Sequence, residues 1–194
     1  MDANGERRSG CFVAVAGPSG AGKDTIIDAA RLALRGDARF HFVRRVVTRS
    51  STPGIEDHDS LDEAAFAAAA EAGAFALRWR AHGLDYGLPA GLRAALDAGR
   101  VVVANVSRHV LPEARRIFPV HAVVLITARP EVRAGRLAAR GRESRADIES
   151  RLARDVPPEQ MVGDATVIDN SGALDDAVRA FLGRLEELAA ESAA

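Results

Sequence analysis

Short apolar runs alternate with amphipathic stretches along this chain. Cys11–Ala16 is an apolar run that stops at a glycine, which predicts a buried strand. From about Gly22 to Leu34, the residues Ile26, Ile27, Ala30 and Leu34 share one helical face, which predicts a helix. Phe40–Val47 predicts a second strand. TRSSTPGIEDHDS has no period and is full of turn formers, so it predicts a loop. SLDEAAFAAAAEAG opens on capping-box spacing, Ser60 to Glu63, and ends at Gly73, which predicts a helix. AFALRWRAHG is a further strand candidate, and LPAGLRAALDAG predicts a short helix closed by Gly99. VVVANV, HAVVLIT and ATVID predict three more strands. Helices are expected between and after them, at about His109–Ile117, Glu131–Arg140, Ala146–Arg154 and Leu174–Ala190.

Strands alternating with helices imply an α/β fold whose parallel sheet is covered on both faces. Such sheets bind ligands at the carboxyl ends of their strands. With no internal repeat and no linker, the expectation is a disordered tail over residues 1–10 and one domain over 11–190. The 194 residues suffice for a real core, and the formal net charge of −1 argues against nucleic acid or a membrane surface as partner. No apolar run approaches the ~20 residues of a membrane span. The start, MDANGERRSG, lacks the apolar segment of a secretory signal, so a cytoplasmic location is expected. The single cysteine, Cys11, fits a reducing compartment and reads as a small buried or edge residue.

One residue breaks the composition. Among 26 basic residues only Lys23 is a lysine; all the others are arginine. It lies in GPSGAGKDT, which is Gly17-x4-Gly22-Lys23, between a predicted strand and a predicted helix. That is the context of a phosphate-binding P-loop. Its glycines let backbone N–H groups turn inward, and the helix N-terminus adds partial positive charge. Lysine brings a compact, mobile charge to the β- and γ-phosphates of ATP, where an arginine fork is bulkier. The expected ATP-binding residues are therefore Gly17, Pro18, Ser19, Gly20, Ala21, Gly22, Lys23, Asp24 and Thr25. The strict motif has Ser or Thr after the lysine, whose hydroxyl meets Mg²⁺; here that residue is Asp24. A carboxylate is also a hard oxygen ligand, so Asp24 is a candidate for the metal, directly or through water.

RAGRLAARGRESRADIESRLAR carries Arg133, Arg136, Arg140, Arg142, Arg145, Arg151 and Arg154. A solvated helical face is the bland account. Gly141 interrupts the helical pattern, which instead suggests a hinge and a lid over about 136–154. Phosphoryl transfer spreads negative charge that positioned arginines stabilise, and a lid excludes water. Arg136, Arg140 and Arg142 are the first candidates, then Arg151. On the acceptor side, at about 44–90, Arg44, Arg45, Thr48 and Arg49 suit an anionic acceptor. Glu56, Asp57, His58 and Asp59 are either solvated or in contact with sugar hydroxyls. Tyr86 is equally a phosphate donor or a packed aromatic, and Trp79 reads as core.

With GPSGAGK, TR, GIE, F…G.FAL, YG, RL..RG.E and RL in family order from about Cys11 to Leu185, the chain resembles a guanylate-kinase-type P-loop kinase. Three departures stand out. The acidic residue that reads guanine in that family is replaced by Leu77; the G.DY element of the acceptor loop is replaced by EDHDSLD; and the strand after Gly99, which usually ends in acidic residues, ends here at Asn105. GKDT, EDH.SL, WRAHGL.YG and N.SR are similar to the ribose 1,5-bisphosphate phosphokinases of phosphonate breakdown. That resemblance implies a three-layer P-loop NTPase fold with a mostly parallel five-stranded sheet, a small acceptor-binding subdomain and an Arg-rich lid. It implies ATP-dependent conversion of ribose 1,5-bisphosphate to 5-phosphoribosyl 1-diphosphate, with Mg²⁺. It also implies phosphate contact by Arg108, ribose contact by Glu56 and His58, and a place for Asn170 beside adenine. Rivals are a guanylate kinase, a hydroxyl-phosphorylating kinase using Asp57 or Asp59, and a non-catalytic binding module. A homodimer is compatible with all of them.

Overall fold

The computed structural model describes residues 10–49, 58–118, 120–139 and 164–192. The expectations for residues 1–9, Glu56, Asp57, Arg140, Gly141, Arg142, Arg145, Arg151, Arg154 and the helix at Ala146–Arg154 lie outside them.

Five of the predicted apolar runs form one parallel sheet. In chain order, its strands are β1 (Phe12–Ala16), β2 (Phe40–Phe42), β7 (Val101–Asn105), β8 (His121–Thr127) and β9 (Thr166–Asp169), arranged β2-β7-β1-β8-β9. Every pairing within it is parallel. The period of two then sorts its side chains. Phe12, Ala14, Val102, Ala104, Val123 and Leu125 enter one apolar cluster, with Leu92, Ala95, Leu111 and Ala114. Val13, Val15, Val101, Val103, Val124 and Ile126 enter the other, with Ile26, Ala30, Phe181 and Leu185. The helices carrying those partners are α3 (Leu92–Asp97) and α4 (Leu111–Ile117) on the first face, and α1 (Lys23–Ala33) and α6 (Leu174–Glu191) on the second. The three layers expected from the sequence are therefore present.

A second sheet, order β4-β3-β6-β5, is built from β3 (Arg45–Val47), β4 (His58–Ser60), β5 (Phe75–Ala81) and β6 (Leu84–Pro89). Leu77, Trp79 and Leu88 of this sheet belong to the same apolar cluster as Phe12 and Val102, so it is anchored on the first face of the central sheet. Trp79 is core, as its sequence context suggests, and stacks on Tyr86 at 5.3 Å.

Several boundaries differ from expectation. Phe40–Val47 is two strands in two sheets: Val43 N–H still donates to Val103 O of β7 at 2.9 Å, and Arg45 then pairs with His58. The Arg44-Arg45 pair is where the apolar run is broken and the chain changes partners. AFALRWRAHG stops at Ala81, because His82 and Gly83 both take positive φ, 53° and 76°, and turn the chain into β6. That two-residue loop has the sign pattern of a type I′ hairpin, and β6 itself was not anticipated. Ser60 lies in β4 and does not cap α2 (Glu63–Glu71); Asp62 does, accepting from Ala65 N–H at 2.7 Å. The His109–Ile117 helix opens as a 3₁₀ turn, Arg108–Val110, before α4. Among the described residues no helix is long and apolar enough to cross a membrane.

Cys11 is 4 % exposed at the foot of β1, and burial pushes its thiol up to about 11. A thiol that ionises more readily in the unfolded chain destabilises the fold as pH rises. The unfolding midpoint is therefore expected to fall between about pH 8.5, where a free thiol ionises, and the folded value. Cys11→Ala should remove that component of a pH series of thermal melts, and DTNB should label Cys11 only on unfolding.

Candidate active site

The phosphate loop joins β1 to α1 at the carboxyl edge of the central sheet. Its glycines are held in conformations that other residues avoid: φ is 147° at Gly17, 81° at Gly20 and 90° at Gly22. A Cβ at Gly17 would run into the Ile126 carbonyl, and one at Gly22 into the Asn170 amide. Gly22 precedes α1 and offers no side chain to cap it, so the first-turn N–H groups remain directed toward the loop. Lys23 folds back over the same loop, donating to Gly17 O at 2.9 Å and Pro18 O at 3.0 Å. Thr25 is exposed on the first turn of the helix.

The loop is held from behind by α5 (Pro130–Ala139) and by the turn after β9. Arg133, 5 % exposed, donates through Nε to Ser19 O at 3.0 Å. Arg136, one turn on, donates to Asn170 O at 3.0 Å and, more weakly, to Ala21 O at 3.4 Å. Asn170 is 1 % exposed; its amide donates to Ala21 O at 2.8 Å, and its backbone N–H to Thr127 O at 2.7 Å. In this arrangement Arg136 and Asn170 brace the loop's outer wall. In sequence Arg133 reads as one more arginine in a basic run, which hides its contact with the loop. The signal lay in its spacing: Arg133, Arg136 and Leu137 share a helical face.

Asp24, in the first turn of α1, is bound on two sides. Asn105, at the end of β7 and 7 % exposed, donates through Nδ2 to Asp24 Oδ1 at 2.6 Å. The Arg45 guanidinium of β3 reaches the same oxygen at 3.3 Å. This pair links the phosphate loop to the second sheet; in sequence Asn105 stands out only as a departure from the kinase pattern. Among the described residues no group of three or more His, Cys, Asp or Glu side chains gathers to hold a metal. The single carboxylate of Asp24 suits Mg²⁺, which takes one or two carboxylates and fills the rest of its shell with water and phosphate oxygens.

Of the described acceptor candidates, all but Arg108 lie in or directly beside the strands of the second sheet. Arg44 pairs with Asp59 at 3.1 Å, both half exposed, and donates to His58 O at 3.4 Å. His58 is buried on β4, level with Arg45. Thr48 is engaged structurally: its hydroxyl accepts from Asp85 N–H at 2.9 Å, tying the end of β3 to β6. Arg49 follows directly, partly exposed, and Tyr86 sits on β6 opposite Val47. Arg108 opens the 3₁₀ turn after β7. Leu77, at the place of the guanine reader, is 2 % exposed within the apolar cluster.

A parallel sheet running through a glycine cradle into a lysine-bearing helix, beside a small arginine-bearing sheet, defines a P-loop nucleotide-binding protein of guanylate-kinase-like fold. A guanylate kinase from Anaplasma phagocytophilum superposes over 93% of this chain and 86% of its own, with a TM-score of 0.66 at 14% identity, a likeness of fold alone. Residues 13–157 match the AAA domain family. The ribose 1,5-bisphosphate phosphokinase PhnN of Brucella melitensis is 60% identical over 185 residues, covering 95% of this chain and 96% of that protein. The protein of the same name from Agrobacterium fabrum is 48% identical over 181 residues, covering 93% and 99%. The chain belongs to the ribose 1,5-bisphosphate phosphokinase PhnN family.

Proposed function

We propose that this protein transfers the γ-phosphoryl group of ATP to the 1-phosphate of ribose 1,5-bisphosphate, giving 5-phosphoribosyl 1-diphosphate and ADP, as a step of phosphonate breakdown. The observation that carries the choice of acceptor is Leu77: the P-loop cradle is intact, while the position that reads guanine is an apolar residue sealed in the core. A sugar bisphosphate needs arginines and hydroxyl contacts, and no base pocket.

An oxygen of the acceptor's 1-phosphate supplies the electron pair for the new P–O bond. The bond from the γ-phosphorus to the β–γ bridging oxygen breaks, and its electrons leave with ADP. The attacking phosphate is already ionised near neutral pH, so no strong general base is needed. Lys23 exchanges its loop carbonyls for β- and γ-phosphate oxygens, and the loop N–H groups and Thr25 hold the rest of the chain of phosphates. Mg²⁺ neutralises phosphate charge when bound, and Asp24 is the residue that would hold it, directly or through water. Arg136 with Arg140, Arg142 and Arg151 closes over the transferring group. Arg44, Arg45, Arg49 and Arg108 hold the acceptor phosphates with Tyr86, while Thr48 keeps β3 and β6 in place. Glu56 meets ribose hydroxyls, and His58, buried on β4, supports the acceptor side from beneath rather than touching the sugar. Asn170 fixes the loop beneath the nucleotide. Positioning and charge stabilisation account for most of the rate in this class of chemistry.

An ADP-coupled assay with Mg²⁺, offering ribose 1,5-bisphosphate and GMP in parallel, is the test. Turnover is expected with the sugar bisphosphate alone. Turnover with GMP and none with the sugar would overturn the acceptor assignment and make Leu77 irrelevant to specificity.

A further inference from the structure

The two polar departures of this site from the common P-loop pattern touch one another. P-loop enzymes hold Mg²⁺ with a hydroxyl directly after the lysine and an aspartate elsewhere in the site. Here the residue after Lys23 is the carboxylate, Asp24. The strand end that is usually acidic in the resembled kinases carries a neutral amide, Asn105. The two lie 81 residues apart in sequence and 2.6 Å apart in the fold. We propose that the carboxylate and its neutral partner have exchanged places, and that Asn105 is a positioning residue that aims Asp24 at the cation accompanying ATP.

The chemistry explains why the two departures belong together. A carboxylate accepts hydrogen bonds and cannot donate; an amide nitrogen can. Asp24 facing an aspartate at this spacing would set two like charges in contact, with one forced to take up a proton. Asn105 turns that contact into a bond, and the pair keeps the single negative charge that hydroxyl and aspartate would have had. Arg45 donates to the same oxygen, Oδ1, so among the described residues neither bond falls on Oδ2. Oδ2 is the oxygen assigned to the metal or its water. Partners one step removed from a metal tune affinity by fixing the ligand's orientation.

The inference rests on ATP binding with a divalent cation and is independent of the acceptor. The test is calorimetric titration of ATP, with Mg²⁺ and with EDTA, alongside thermal melts of each variant. In the wild type Mg²⁺ should strengthen ATP binding. Asn105→Ala should lose about tenfold of that Mg²⁺-dependent gain, with affinity in EDTA unchanged. Asn105→Asp should lose more, and adding Asp24→Ser to it should recover most of the loss. The exchange is overturned if the double variant is no better than the product of its singles. It is also overturned if Asn105→Ala weakens both titrations alike or changes only the melt. Equal ATP binding with and without Mg²⁺ in the wild type would sink the exchange and leave the acceptor assay to judge the kinase reading. Should Asn105→Ala not fold, the isosteric Asn105→Asp and its double variant decide the matter.

Discussion

Replacing Lys23 by arginine, the residue this chain uses at every other basic position, is expected to lower kcat by about 10²–10³-fold or more. Charge is retained in that variant, so the loss would report geometry. The ammonium of Lys23 reaches two carbonyls of its own loop, Gly17 O and Pro18 O, and a phosphate oxygen must take the place of such contacts within the same small cradle. A planar guanidinium carries its charge farther out and donates along fixed directions. The thermal midpoint should change little, because Lys23 is only partly buried and arginine's three methylenes and guanidinium cover much the same surface as lysine's four methylenes. Initial rates with saturating ATP, together with a melting curve, check both halves. Near wild-type turnover would mean that the single lysine has no geometric reason.

Gly17→Ala should fail in the opposite way, losing fold and function together. Gly17 has φ 147°, and a Cβ there would meet the carbonyl oxygen of Ile126, which is backbone in the buried strand β8 and cannot swing aside. The variant must displace the loop or the strand. A cost of about 2–4 kcal/mol is expected from a backbone clash at a strained position. ATP binding should become undetectable, since the N–H groups of the cradle no longer converge. Denaturant unfolding and ATP calorimetry on the same sample would check this. A stable variant that still binds ATP would show that the loop relaxes more easily than the contact with Ile126 allows.

These two residues are legible in the sequence alone. GPSGAGK sits between an apolar run and an amphipathic helix, and local spacing is all a P-loop requires. The central strands β1, β7 and β8 were legible for a related reason: a strand buried on both faces is a short, largely apolar run, as in FVAVA and VVVAN. The second sheet was harder. Its strands pair across a hairpin and across the chain. Phe40–Val47 reads as one strand because local propensity carries no information about which sheet each half joins. β6 was hidden by Gly87 and by polar Asp85, although HG between two strand-like segments was a usable hairpin signal.

Local sequence thus settles what depends on neighbours along the chain: the apolar strands, the helix faces, and the glycine-lysine cradle, each set by covalent spacing and backbone conformation. Contacts between distant segments depend on how the sheets pack, and spacing says nothing of them. The Asp24–Asn105–Arg45 junction draws on three separate elements, α1, β7 and β3, and exists only because the β2-β7-β1 order brings β7 beside the loop. The roles of Arg133 and Asn170 as braces of the loop likewise arise where α5 and the turn after β9 close on it, with Asn170 149 residues from Ala21. Spacing sets Arg133 on a helical face with Arg136 and Leu137, and the family resemblance marks Asn170 for the nucleotide; only burial against a loop carbonyl makes them braces.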